Sequence, residues 1–160
     1  MNDIENILRE AESAMNAGNG RKVLPLLLSL VEKQVPEAMY LASCVSKPRE
    51  TSEAFEQRRF WLLNQAARLN HAQSIYTLGV HYAFGDVVMK SEEIASVHFE
   101  KAAILGHSRA KLSYGMDLVR GINRIPKDKE RGVDYIRQAI AENVEDADKI
   151  LDQILAGKWD

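Results

Sequence analysis

The sequence predicts an all-α fold of repeated helix pairs, about nine helices in 160 residues. Two series of small residues carry this reading. Ala38, Ser74, Ala110 and Ala147 follow one another at spacings of 36, 36 and 37, and Ala66, Ala102 and Ala139 at 36 and 37. Gly79 and Gly115, Tyr82 and Leu118, and Gly85 and Gly121 keep the same register. Strand signals are scarce: threonine occurs only twice, and no apolar and polar alternation surrounds a hairpin turn.

In chain order, helices are expected over 3–17, 24–33, 36–46, 52–69, 72–84, 91–105, 107–120, 129–142 and 144–156. Pro25 and Pro36 suit first helical turns, while Pro48 and Pro126 fall between helices. Ser74, Leu78, Tyr82 and Gly85 step by 4, 4 and 3 along 72–84. Ser91 reads as an N-cap before the acids Glu92 and Glu93. Ala95, His98, Phe99, Ala102 and Ala103 form a core-facing stripe that stops at Gly106, and the equivalent stretches 64–70 and 137–143 end on Asn. Ser43, Gly79 and Gly115 are small enough for close helix approach. Asp152, in the equivalent place of the last unit, is not, so 144–160 reads as a capping helix.

Length and composition bound the possibilities. With 46% hydrophobic and 28% charged residues, the chain is expected to be a single folded domain over 1–160. A net charge of −2 gives no field for phosphate backbones or anionic lipid, so neither nucleic acid nor membrane is an expected partner. The single cysteine, Cys44, makes no internal disulfide and suits a reducing compartment. The acidic start lacks the charge and apolar core of a signal peptide, and Val23–Val31 is too short to span a bilayer. The expected location is the cytoplasm.

Gly79, Tyr82 and Gly85, the loop Pro126-Lys127-Asp128, and the run Phe99 to Gly106 together resemble the Sel-one-like repeat, a relative of the tetratricopeptide repeat. Residues 70–106 match its pattern best. Residues 106–143 match more loosely, with Gly132 where the family has alanine, and 34–70 keep Ala38 and Gln65-Ala66-Ala67. Residues 1–34 fit by register as a degenerate pair. The resemblance implies a right-handed α-solenoid of antiparallel helix pairs that binds other proteins and has no catalytic residues or cofactor. Small solitary members include immunity proteins that neutralise bacterial toxins. The expected function is therefore binding and inhibition of one protein partner, a toxin or effector, with a scaffold for a signalling or envelope-associated assembly as the alternative.

No chemistry-bearing constellation competes with this reading. His71, His81, His98 and His107 lack a metal-ligand spacing; His71 and His107 are 36 apart, so the repeat accounts for them. His98 reads as partly buried. No nucleophile motif is present, and Cys44 reads as a small interior residue. Gly18 to Lys22 is a turn rather than a phosphate loop. The charge clusters Arg124, Lys127, Lys129, Arg131 and Glu142, Glu145, Asp146, Asp148 read as solvated faces. Trp159 is either a contact residue or a cap on the last helix.

Helical phase leaves Thr77, His81 and Phe84 in the third unit, and Ser113, Met116, Asp117 and Arg120 in the fourth, on a concave face for a partner. Leu41, Cys44 and Val45 take the same phase in the second unit. Phe84 is either an anchor there or a plug for its loop. Tyr40 and Tyr76, equivalent in register, read as structural.

Overall fold

The computed structural model describes residues 3–122 and 125–159, and among these residues it contains nine helices and no strand. They are α1 (Asp3–Asn16), α2 (Gly20–Glu32), α3 (Pro36–Ser43), α4 (Ser52–Arg68), α5 (Ala72–Phe84), α6 (Glu92–Ile104), α7 (Ser108–Arg120), α8 (Lys129–Ala141) and α9 (Ala147–Leu155). No helix of the described residues is long and apolar enough to cross a membrane. The helices gather into two compact units, Met1–Ser74 and Ile75–Asp160.

The left-handed helix stop recurs at the repeat period at the ends of α2, α4, α6 and α8. Gln34, Asn70, Gly106 and Asn143 take φ of +57°, +59°, +91° and +59°, the left-handed conformation that ends a helix. The next N–H then donates five residues back: Val35 to Leu30 O, His71 to Ala66 O, His107 to Ala102 O and Val144 to Ala139 O, at 2.9–3.1 Å. These positions lie 36, 36 and 37 apart, so even the degenerate first pair keeps the terminator. Only Gln34 pays a side-chain penalty without asparagine's or glycine's tolerance of this region. Gln34→Gly is therefore expected to stabilise the chain by about 1 kcal/mol, read as a higher urea midpoint at unchanged m-value.

In the first unit, α1 packs on α2, α2 on α3, and α3 on α4. Val23, Leu27 and Leu30 of α2 meet Ala38, Met39, Leu41 and Ala42 of α3 and Leu62 and Ala66 of α4. Arg58 fastens α4 to the end of α3. Its Nε and Nη2 donate to the two Glu50 carboxylate oxygens at 2.8 Å each, and Nη1 and Nη2 donate to the carbonyls of Ala42 (3.0 Å) and Val45 (2.7 Å).

In the second unit α7 lies between α6 and α8, and α9 closes on α8. Two loops are built alike: the N–H of Ser91 donates to Tyr82 O and that of Asp128 to Leu118 O, both at 2.8 Å. Ser91 and Asp128 then cap α6 and α8 by accepting from Ile94 N and Arg131 N. Small residues set the spacing of helices, as their positions suggest. A Cβ on Gly79 would stand 2.7 Å from Phe99, and one on Gly115 would stand 2.8 Å from the Gly132 carbonyl oxygen. Val119, Val133, Ile136 and Ile154 form the core at the C-terminal end, with Trp159 packed against it.

Several expectations are corrected. α2 begins at Gly20, so Pro25 is its sixth residue rather than a first-turn proline. Proline there removes one hydrogen bond, to the carbonyl of Arg21, close to an end whose first N–H groups have no intrahelical partner in any case. α3 stops at Ser43, three residues short of the expected 46, and α9 starts at Ala147 after the left-handed Asp146. The short α3 puts Cys44 at its C-cap, where the thiol is exposed and lies 3.4 Å from Tyr40 O, instead of in the interior. Leu41, expected on the open face, is 2% exposed because α2 and α4 both pack against α3.

Candidate functional site

The second unit carries an open groove of about 390 Å³ between α5 and α7, floored by α6. α7 gives Ser113, Met116, Asp117 and Arg120, and α5 gives Tyr76, Val80, Ala83 and Phe84. Glu92, Ala95 and Phe99 come up from α6, with Ile122 at one end. Phe84, 79% exposed, has no core to fill and stands at the lip. Met116 is half-buried against the C-terminal core.

Of the seven residues expected on the partner face, the structure brings together Phe84, Ser113, Met116, Asp117 and Arg120. Thr77 is half-buried and outside the groove lining. His81 must be withdrawn from that face: the residue is only 4% exposed, with Nδ1 3.7 Å from the Asp86 carboxylate in the loop after α5. The cause is rotational. The facing flanks of two helices line the groove between them: α5 turns 76, 80, 83 and 84 to it, so of the repeat equivalents of the α7 positions (77, 80, 81 and 84) two line it and 76 and 83 stand in place of 77 and 81. Glu92 and Phe99 escaped the sequence reading because a core-facing stripe on α6 gives no sign that its edge meets an opening.

Electrostatics inside the groove centre on Asp117. Burial pushes its carboxyl above the ordinary value, the nearby Glu92 charge adds to that, and Ser96 and Arg120 oppose it. Its ionised form is thus held at a cost. The Arg120 guanidinium also lies 4.3 Å from the centre of the Trp159 ring. Trp159 also donates from Nε1 to Gln153 Oε1 at 3.4 Å, so it caps the last helix and orders the groove's end.

The remaining candidates are structural. His71 and His107 are helix caps: Nδ1 accepts from Ser74 N at 3.3 Å and from Ala110 N at 3.1 Å. Each ring meets the tyrosine of the preceding pair, Tyr40 at 5.5 Å and Tyr76 at 4.3 Å. His71 also bonds Glu37 through Nε2 at 2.7 Å. Burial pushes the Tyr40 hydroxyl up to about 12. His98 is half-buried, as expected, with Nδ1 donating to Ile94 O at 2.8 Å. Among the described residues no three His, Cys, Asp or Glu side chains are placed to hold a metal ion. In the acidic cluster, Glu142 is ion-paired with Lys111, whose side chain is 12% exposed, and this pairing with help from Ser108 holds the Glu142 carboxyl below its usual range. In the basic cluster Arg131 pairs with Asp128 at 3.7 Å, while Arg124 lies outside the described residues.

Comparison with known proteins places the fold. No family model and no curated protein matches the sequence. Among solved structures, a Sel1 repeat protein from Oxalobacter formigenes superposes with a TM-score of 0.70 and 25% identity over 84% of this chain. Cysteine rich protein B of Helicobacter pylori gives 0.59 and 20% over 89% of this chain and 96% of its own. A protective antigen of uropathogenic Escherichia coli with an SLR fold gives 0.62 and 23% over 78% of this chain. The chain spans 39% of the Oxalobacter protein and 26% of the E. coli antigen.

Proposed function

The chain is a relative of the Sel1-like repeat proteins in fold, and from that premise we propose that it is a non-catalytic module that binds one protein partner in the α5–α7 groove and thereby inhibits it. An immunity protein neutralising a toxin is the role of this kind that suits it best. The observation that carries the reading is Phe84, a large aromatic side chain 79% exposed at the lip of a groove with Met116 beside it and Asp117 and Arg120 around it. An apolar anchor within a polar rim is the composition of an interface hot spot. A groove that opens to solvent between two helices suits a segment of polypeptide. The single, exposed Cys44 agrees with a cytoplasmic setting.

The test begins with the tagged chain purified from its native host and the co-purifying protein identified. Phe84→Ala is expected to weaken that complex by about 2 kcal/mol, roughly thirtyfold in Kd, without lowering the melting temperature. Unchanged affinity removes the groove as the partner site.

A second reading, a scaffold with two partners, is favoured by one observation. Ile94, Val97 and Ile104 of α6 are 41%, 55% and 70% exposed and fall on one helical face. Native mass separates the two: a one-to-one complex supports inhibition, a larger mixed assembly supports the scaffold.

A further inference from the structure

We propose that the α5–α7 groove receives a lysine or arginine side chain of the partner protein, with an apolar neighbour of that residue seated against Phe84 and Met116. This rests on the groove being the partner site. Two carboxylates, Glu92 and Asp117, line the groove against one cation, Arg120, so its lining is net negative. Arg120 is held at the end of the groove by its stacking on Trp159, and Lys90, 3.3 Å from Glu92, pairs outside the lining with both side chains well exposed. Asp117, whose ionised form Ser96 and Arg120 favour without overcoming its burial, lines the groove with Val80, Ala83, Phe84 and Met116.

A partly buried carboxylate is costly when ionised and recovers that cost when a cation reaches it in a site from which water has been displaced. A neutral or acidic side chain gives no such return, and an acidic one adds repulsion from two carboxylates. The rest of the lining fits the remainder of a basic residue. Lysine and arginine carry long methylene stems that pack on apolar surface while the charged head reaches on, and their heads are attracted to aromatic faces such as Phe84 and Phe99.

The probe is a phage library of random twelve-residue peptides, selected on the full-length protein and counter-selected on its Phe84→Ala variant. Enrichment of sequences with lysine or arginine beside an apolar residue is the expected result. A synthetic copy of the best sequence is then expected to lose about tenfold in affinity when its basic residue is replaced by norleucine, and to lose a similar factor against Asp117→Asn. Asp117→Asn removes the buried charge, so it is expected to raise the melting temperature at pH 7. The gain disappears below the ordinary carboxylate range, where the aspartate is protonated in both folded and unfolded chains. A weakened interaction in a more stable variant therefore reports the lost charge and not misfolding. Enrichment of groove-dependent peptides without a basic residue, or equal affinity for Asp117→Asn, overturns the inference and leaves the groove as a binding site. A selection in which the counter-selection on Phe84→Ala removes every binder overturns both.

Discussion

A single methyl group at position 132 is expected to cost about 2–3 kcal/mol of stability. The Cβ of Gly132→Ala would stand 2.6 Å from the carbonyl oxygen of Gly115 and 2.7 Å from Val119 Cγ2. The nearest of these atoms is backbone, so no rotamer change relieves the clash, and α7 and α8 must move apart. Alanine's better helix propensity returns about 1 kcal/mol and is outweighed. Urea and thermal unfolding of the variant are expected to show a melting temperature lower by about 5–10 °C. Equal or greater stability would show that α7 and α8 do not pack at this distance.

The second large effect is expected in the first unit. Arg58→Met leaves the Glu50 carboxylate, whose side chain is 8% exposed, without its cation, and frees the carbonyls of Ala42 and Val45. Breaking a poorly solvated ion pair from one side is far more damaging than never having it. The melting temperature at pH 7 is expected to fall by about 10 °C. The same pair gives the wild-type protein an acid-sensitive step. The Arg58 side-chain hydrogen bond lowers the Glu50 carboxyl from 4.5 to about 2. The stability it supplies is therefore present above 4.5 and is lost as pH falls through about 2. Melting curves followed by circular dichroism from pH 7 to pH 2 should show this loss in the wild type and a flatter profile in Glu50→Gln. A wild-type profile as flat as the variant's would contradict the clamp.

The repeat was legible in the sequence because its marks are local. A left-handed helix stop selects glycine or asparagine wherever it occurs, so Asn70, Gly106 and Asn143 announce themselves, and close helix contacts select glycine at 79 and 115. Gln34 hides the same stop because glutamine leaves no such trace. Its place shows only once the φ angles are known. Pro25 misled for a related reason. Proline is tolerated near a helix start, and composition alone does not fix which turn holds it. The site was half legible. Helical phase put Met116, Asp117 and Arg120 on an open flank because α7 is amphipathic, but α5 carries apolar side chains on several faces, so its phase did not separate His81, which is buried, from Tyr76 and Val80, which line the groove. Arg58 and Glu50, eight residues apart across a loop, gave no pattern at all.

A partner polypeptide in the α5–α7 groove is within reach of a photo-crosslinking benzoylphenylalanine placed at Phe84 in the native host, with the adduct identified by mass spectrometry. One defined protein joined to position 84 is expected, and no such adduct from the same group at Val97 on the far side of α6. An adduct at Val97 with none at position 84 would contradict a partner in the groove.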